Sequence, residues 1–225
     1  MNQKNTEHRP GVLICKKALA RIRQSGPCVS YPKGQMVFTA GEVADRVFFI
    51  EEGMIKVFTA TGEGHQMIVA LRYAGELLGL AETLYGGERS CSAEAVAPTR
   101  LIILPKETFL QLMRDEPNFA LRVSEVLGAR VREAQIKLCE LTCYQVPGRL
   151  ALYLLNLMER CGVETPQGIK LDFKLTHEEL ARIVGTSRPT LTSTLNSFRK
   201  EGSIDLRGRE IWIIKPEKLR HWIVG

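Results

Sequence analysis

The sequence predicts an α+β chain: an antiparallel β-roll in front, one long helix, then a C-terminal winged helix-turn-helix. Three observations carry this. Short glycine-broken runs of β-formers fill residues 27 to 104, an apolar row spaced by four and three follows, and two helices around a glycine lie near the end. At 225 residues the chain has room for two modest domains. The expected divisions are an N-terminal segment 1–26, a β-roll 27–115, a central helix 116–144 and a winged domain 145–225.

Composition narrows the class. With 44% apolar and 25% charged residues the chain reads as an ordinary globular protein. No apolar run approaches the roughly 18 to 20 residues that span a bilayer, and the opening MNQKNTEHRP lacks a cationic-then-apolar leader pattern, so a cytoplasmic protein with no membrane partner is expected. Net charge is +6, and it is uneven: 13 basic and 9 acidic residues (+4) in 145–225, against 18 and 16 (+2) before. The excess is mild, compatible with a polyanionic partner without establishing one, and the C-terminal third holds most of it.

The roll is read from KGQMVFTAGE, DRVFFIEEG, MIKVFTATGEG, HQMIVALRYAG, SCSAEAVA and RLIILP. Gly53 and the Thr61-Gly62-Glu63-Gly64 stretch supply the positive φ of tight reversals. After Lys106 the pattern turns helical, with one helix from Pro117 to about Cys143. Leu127, Val131, Ala134, Leu138 and Leu141 are spaced as a coiled-coil seam, which predicts a parallel homodimer; a helix lying on its own roll is the alternative.

Val146 to Cys161 is an amphipathic helix with Pro147 near its start, and GIKLDF is a short strand. Thr176-His177-Glu178-Glu179 is a capping box. Ala181 permits close helix approach, Gly185 makes the turn and Leu191 anchors the second helix, while SIDLRG and REIWIIK form the wing around Gly208. That second helix begins Thr186-Ser187-Arg188-Pro189-Thr190. Ser187 is a fitting N-cap and its neighbouring N–H groups attract a phosphate, which leaves Arg188 to reach a guanine edge. Thr190, Ser193 and Asn196 share a polar face; Arg199 and Lys200 are backbone contacts or simply a cationic helix end.

Chemistry of other kinds finds little support. The four histidines are scattered, and no activated nucleophile or paired acid and base is seen, so an enzyme is not expected. Six cysteines show no C-x-x-C pair and are expected to be reduced and mostly structural. Cys139 and Cys143 lie four apart, off the seam; a local redox or metal role for them stays open, an intersubunit disulfide does not. Haem would need His65 as ligand and an iron–sulfur cluster would need more than the isolated Cys15 and Cys28, so no resident cofactor or metal is expected.

YPKGQMVFTAGEVADRVFFIEEGMIKVF, GELLG followed by ERS, GRLALYLLNL and VGTSRPTLTSTLNSFRKEG together resemble the family of the cyclic-AMP receptor protein and the fumarate-nitrate reductase regulator. The resemblance implies a cyclic-nucleotide-binding-like sensor, a dimerising helix and a winged helix-turn-helix that binds a palindromic DNA site and recruits RNA polymerase. Thr176, Ser187 and Arg188 match DNA-contacting positions of the family, whereas Pro189 and Ser193 depart from it, implying a different half-site. In cyclic-nucleotide members an Arg-Ser pair cradles the phosphate; Gly79, Arg89 and Ser90 match. Leu80 replaces the acidic ribose ligand, the Gly79–Arg89 segment is one residue shorter, and Ala134 and Gln135 replace the adenine-reading pair.

Cyclic AMP is therefore disfavoured. The expected effector is a small anionic metabolite, such as 2-oxoglutarate, as in the similar global nitrogen regulators, or an aromatic acid, with Leu78, Gly79, Leu80, Arg89, Ser90, Arg130 and Gln135 forming its site. Arg130 pairing across the dimer, or Arg89 pairing with Glu88 or Glu82, stands as the bland alternative. Cyclic-nucleotide gating, thiol-redox gating and a sensor acting through protein contacts are the rival functions.

Overall fold

The computed structural model describes residues 16–60, 66–172, 175–208 and 210–224. His8, Cys15, His65, the Thr61–Gly64 turn and Arg209 lie outside the described residues. The chain divides into two compact units, Met1–Ala134 and Gln135–Gly225.

In the first unit, α1 (Lys16–Gln24) precedes β1 (Cys28–Tyr31), β2 (Met36–Phe38), β3 (Arg46–Glu52), β4 (Met54–Ala60), β5 (Gln66–Tyr73) and β6 (Leu77–Leu78). A short helix α2 (Leu80–Tyr85), β7 (Ser92–Ala95), β8 (Thr99–Pro105), α3 (Lys106–Asp115) and the long α4 (Pro117–Cys143) follow. Among the described residues the strands make two antiparallel sheets, β1-β8-β3-β6 and β2-β7-β4-β5. Strand periodicity explains the layers. On β3, Phe48 and Ile50 face Phe38, Ile55, Leu78, Ala93, Ala95 and Leu101 between the sheets. Val47 and Phe49 face the other way, onto Ile22, Leu77, Leu80, Phe109, Phe119 and Val123 beneath the helices. Thus β3 is buried on both faces.

The glycine-broken runs are the observed strands. Gly53 turns β3 into β4 with φ 96°, and a Cβ there would lie 2.3 Å from Thr99 Oγ1, so both backbone angle and space require glycine. No pattern in the chain announced α1, β6 or α2. On α4, Leu127 packs partly against the roll core while Val131 (59% exposed), Ala134 and Leu138 (63%) are exposed. The alternative of a helix lying on its own roll fits Leu127 and not Val131 or Ala134.

The second unit holds the end of α4, then α5 (Val146–Cys161), β9 (Gly162–Thr165), β10 (Gly168–Leu171), α6 (His177–Val184), α7 (Arg188–Lys200), β11 (Ile204–Arg207), β12 (Glu210–Ile213) and α8 (Pro216–Val224). Its sheet runs β11-β12-β10-β9. The GIKL part of GIKLDF is therefore half of a hairpin whose partner β9 lacks apolar alternation. Leu150, Leu154, Leu180, Leu191, Leu195, Phe198, Ile211 and Leu219 form one core, closed by Trp222 at 5.3 Å from the Phe198 ring. No described helix is long and apolar enough to cross a membrane.

The cysteine expectation needs correction. Cys28, Cys139 and Cys143 are exposed rather than structural, and Cys28 Sγ lies 3.5 Å from Glu51 Oε2. Spacing alone does not tell the outer face of α4 from a buried one.

Candidate DNA-binding and effector-sensing sites

Local sequence chemistry builds the helix-turn-helix. Thr176 caps α6: its hydroxyl accepts from the Glu179 N–H (3.2 Å) and donates to Glu179 Oε2 (2.8 Å), and its own N–H goes to the same oxygen (2.8 Å). Its one hydroxyl proton is therefore committed to the cap. Gly185 ends α6 in the left-handed region (φ 74°, ψ 53°), and the Thr186 N–H returns to Ala181 O at 3.0 Å. Ser187 then caps α7, accepting from the Thr190 N–H at 3.3 Å while the two hydroxyls meet at 2.8 Å.

On α7, Leu191, Thr194, Leu195 and Phe198 are buried. Arg188, Thr190, Ser193, Asn196 and Lys200 are exposed, with Ser187 at the start of the row and Thr186 half-buried behind it. A polar row of this kind, carried by a helix whose opposite side is fixed in a core, can enter a major groove and present side chains to base edges. Beside it, β11 and β12 form a two-stranded hairpin turning at Gly208 (φ 64°), with the Arg207 guanidinium 4.1 Å from the Trp212 ring.

Arg149 is a residue that sequence reasoning passed over. From α5 its guanidinium donates to Val184 O (2.9 Å), Gly185 O (3.1 Å) and Tyr144 O (2.8 Å), so one side chain satisfies carbonyls at the ends of α6 and α4. The quoted GRLALYLLNL stretch contains it, but nothing in one dimension says where a guanidinium points.

In the first unit, Gly79 takes a left-handed conformation (φ 78°, ψ 25°) between β6 and α2. Arg89 is buried beneath it. Its Nη1 donates to Gly79 O (2.8 Å) and Thr83 Oγ1 (3.3 Å), its Nη2 to Arg46 O, and its guanidinium carbon lies 4.5 Å from the Phe38 ring centre. Burial pulls its pKa below the usual arginine value, and the nearby Glu82 and Asp45 carboxylates oppose that. Ser90 is exposed, and both its hydroxyl and its N–H go to Glu82 Oε1, at 2.5 and 3.3 Å.

Arg130, on α4, donates to Leu77 O. Burial, then the like charge of Arg72, brings its pKa down to about 10. Arg72 lies 3.3 Å from Glu133 and 3.8 Å from Glu76, whose carboxyl burial pushes up against the pull of the two arginines.

The expected effector residues fall in both units. Arg89 and Arg130 each hold a carbonyl of one segment, Gly79 and Leu77, because a short strand ending in a left-handed glycine leaves acceptors that guanidinium groups satisfy. The Leu78 and Leu80 side chains are core, 3% and 1% exposed, so these two residues could meet a ligand only through their backbone N–H groups. Of the pairings weighed for Arg89, Glu82 is observed, at 3.8 Å. Gln135 is exposed on α4 and falls in the second unit.

A two-sheet roll leading into a winged helix-turn-helix defines a class, the DNA-binding transcription regulators with an N-terminal effector-binding domain. Comparison with known proteins agrees in both parts: the cyclic nucleotide-binding domain matches residues 28–116 and the Crp-like helix-turn-helix domain residues 148–222. The chain is 34% identical over 176 residues to the cyclic AMP receptor protein of Thermus thermophilus, covering 78% of each. It is 27% identical over 222 residues to the global nitrogen regulator of Synechocystis sp. PCC 6803, covering 97% of this chain and 98% of the relative. A transcriptional regulator of the CRP/FNR family, also from Thermus thermophilus, superposes with a TM-score of 0.72 at 25% identity, over 88% of this chain and 99% of that one. The chain belongs to the Crp/Fnr family of transcription regulators, and these relatives are regulators rather than enzymes.

Proposed function

We propose that this regulator acts as a homodimer on a palindromic DNA site of about 22 base pairs, with its two recognition helices entering successive major grooves about 34 Å apart, and that a small anionic metabolite gates the binding. The observation that carries the DNA reading is the polar row from Ser187 to Lys200 on a helix whose reverse side is core. Support for the dimer comes from the exposed apolar residues Val131 and Leu138 at seam spacing.

For the effector, the Arg89–Ser90 donor pair favours an anion, while Leu80 in place of an acidic residue and Gln135 on the helix disfavour cyclic AMP. A carboxylate such as 2-oxoglutarate, or an aromatic acid, fits that reading. Binding between roll and central helix would change the helix register or extend it through Thr142 to Val146, matching the recognition helices to the operator and presenting the bound dimer to RNA polymerase.

Footprinting tests it. A two-fold symmetric protected site is expected, with affinity raised by the effector. Arg188→Ala removes protection while leaving the dimer folded; equal protection by that variant refutes the assignment. Thermal-shift screening of organic acids and nucleotides identifies the ligand, because a true one stabilises the intact protein. A second reading, thiol gating, draws on the exposed Cys139 and Cys143 one helical turn apart near the end of α4. Oxidant-dependent DNA affinity in the wild type that Cys139→Ser and Cys143→Ser abolish would favour it.

A further inference from the structure

A carboxylate of the same chain lies against groups that an incoming anion would use, the exposed Ser90 donors and, behind them, the buried charge of Arg89. Glu82 Oε1 accepts from the Ser90 hydroxyl at 2.5 Å and from the Ser90 N–H at 3.3 Å, and Glu82 Oε2 lies 3.8 Å from Arg89 Nη1. A hydroxyl, a backbone N–H and a guanidinium charge are the donor set of charge-assisted oxyanion recognition. A serine has one hydroxyl proton, so Ser90 Oγ donates either to Glu82 or to a solute, not to both. The Glu82 side chain is 22% exposed and Ser90 is exposed, so a dissolved ion can reach the Ser90 donors, while Arg89, 2% exposed and hydrogen-bonded to Gly79, Thr83 and Arg46, acts through its charge.

We infer that Glu82 is a resident anion: a tethered carboxylate that holds the Arg89–Ser90 seat until a small oxyanion, phosphate or carboxylate, displaces it, and so sets which anions the sensing domain accepts. The inference deepens the proposed function and rests on it for identifying the seat with the effector site. The rest of α2 is anchored. Leu80 is buried, and the Thr83 hydroxyl reaches Arg46 O (3.0 Å) and Gly79 O (2.7 Å). Displacement therefore needs rotation of the Glu82 side chain alone, with the helix left in place. Because the competitor is covalently attached, its effective concentration is of millimolar order or above. Simple anions at lower concentration are refused, and a ligand with further contacts to the roll wins.

The test uses the full-length protein, without DNA, titrated with orthophosphate and in parallel with succinate at constant ionic strength. Glu82→Ala is expected to bind at least one of the probes about tenfold or more tightly than the wild type. Which probe gains tells a phosphate seat from a carboxylate one. Adding Ser90→Ala removes the gain. Glu82→Gln keeps the size and loses the charge, and gives a gain in the same direction that carries the test if the alanine variant folds poorly. No gain for either probe, or a gain that persists when Ser90 is also alanine, overturns the inference. Since affinity is read without DNA, a failure of organic acids to alter operator binding would strike the effector reading and leave this measurement standing.

Discussion

Arg89 Nη1 donates to the Gly79 carbonyl at 2.8 Å, and a Cβ built on Gly79 would stand 2.8 Å from that same nitrogen. The residue that turns the chain between β6 and α2 and the buried arginine beneath it are thus one unit, and an added Cβ would push the guanidinium off its carbonyl. Gly79→Ala is expected to cost about 1 to 2 kcal/mol for the left-handed backbone and roughly as much again for disturbing a charged hydrogen bond. Gly41→Ala is the control: φ is 89° there but nothing lies within 4 Å of the added carbon, so only the backbone cost of about 1 to 2 kcal/mol remains. Urea unfolding of both variants checks the difference.

Arg149 makes a second prediction. Its three carbonyl partners, Tyr144, Val184 and Gly185, lie at the end of α4 and at the turn before α7. Arg149→Ala leaves helix-end acceptors unmet and should destabilise the second unit by about 3 kcal/mol, the scale of hydrogen bonds to a charged group. Arg149→Lys should recover only part, since an ammonium cannot present a planar fork of donors to several carbonyls. Gel-shift titration well below the melting temperature is expected to show weakened DNA binding in both, although Arg149 is not in the exposed row of α7.

The winged unit was legible nearly residue by residue because its signals are local. Thr176 and Glu179 are three apart, Gly185 follows the last turn, and Ser187 and Pro189 mark the next start; each acts on its own neighbours. The run from Pro117 to Cys143 was likewise readable from a long period. Elements below the length of any period escaped: the two residues of β6, the six of α2, and β9, whose Val163 and Glu164 are both exposed. The surroundings of Arg89 and Ser90 were half legible. Sequence singled out Arg89 and Ser90 but could not display the carbonyls of Gly79 and Arg46 as competing acceptors, nor decide among Glu88, Glu82 and a ligand for the same donors. Those choices depend on chain reversals fixed by distant strand pairings.

Val131 and Leu138 test the dimer. Both are large, apolar and more than half exposed in the single chain, while Leu127 is partly covered by the roll and Leu141 Cδ2 lies within 3.2 Å of a Cβ built on Gly185. The middle of the row is what a second copy would cover. Leu138→Asp places a charge in that seam and should convert dimer to monomer in sedimentation at micromolar protein, with the fold retained by circular dichroism. DNA affinity should fall at least tenfold, because two half-sites are no longer bound together. A dimer of unchanged stability in Leu138→Asp would place the interface elsewhere.

Acidification tests how Glu82 is held. Burial pushes its carboxyl up, and the Ser90 hydroxyl and N–H together with Arg89 outweigh that, leaving the pKa below the ordinary 4.5. A carboxyl whose folded pKa is depressed binds more protons unfolded than folded, so its stabilising contribution is complete above about pH 4.5 and is lost as pH falls through the folded value. Glu82→Gln cannot titrate and should lose less stability than the wild type below pH 4.5, after the shared contribution of Asp45, which Arg46 also holds low, is subtracted as a common background. Carbon-13 titration of the Glu82 carboxyl gives the direct reading. Ser90→Ala should move its midpoint upward, since the hydroxyl that favours the charged form is gone while burial remains. A midpoint unmoved by Ser90→Ala would mean that Ser90 contributes nothing to holding the carboxylate.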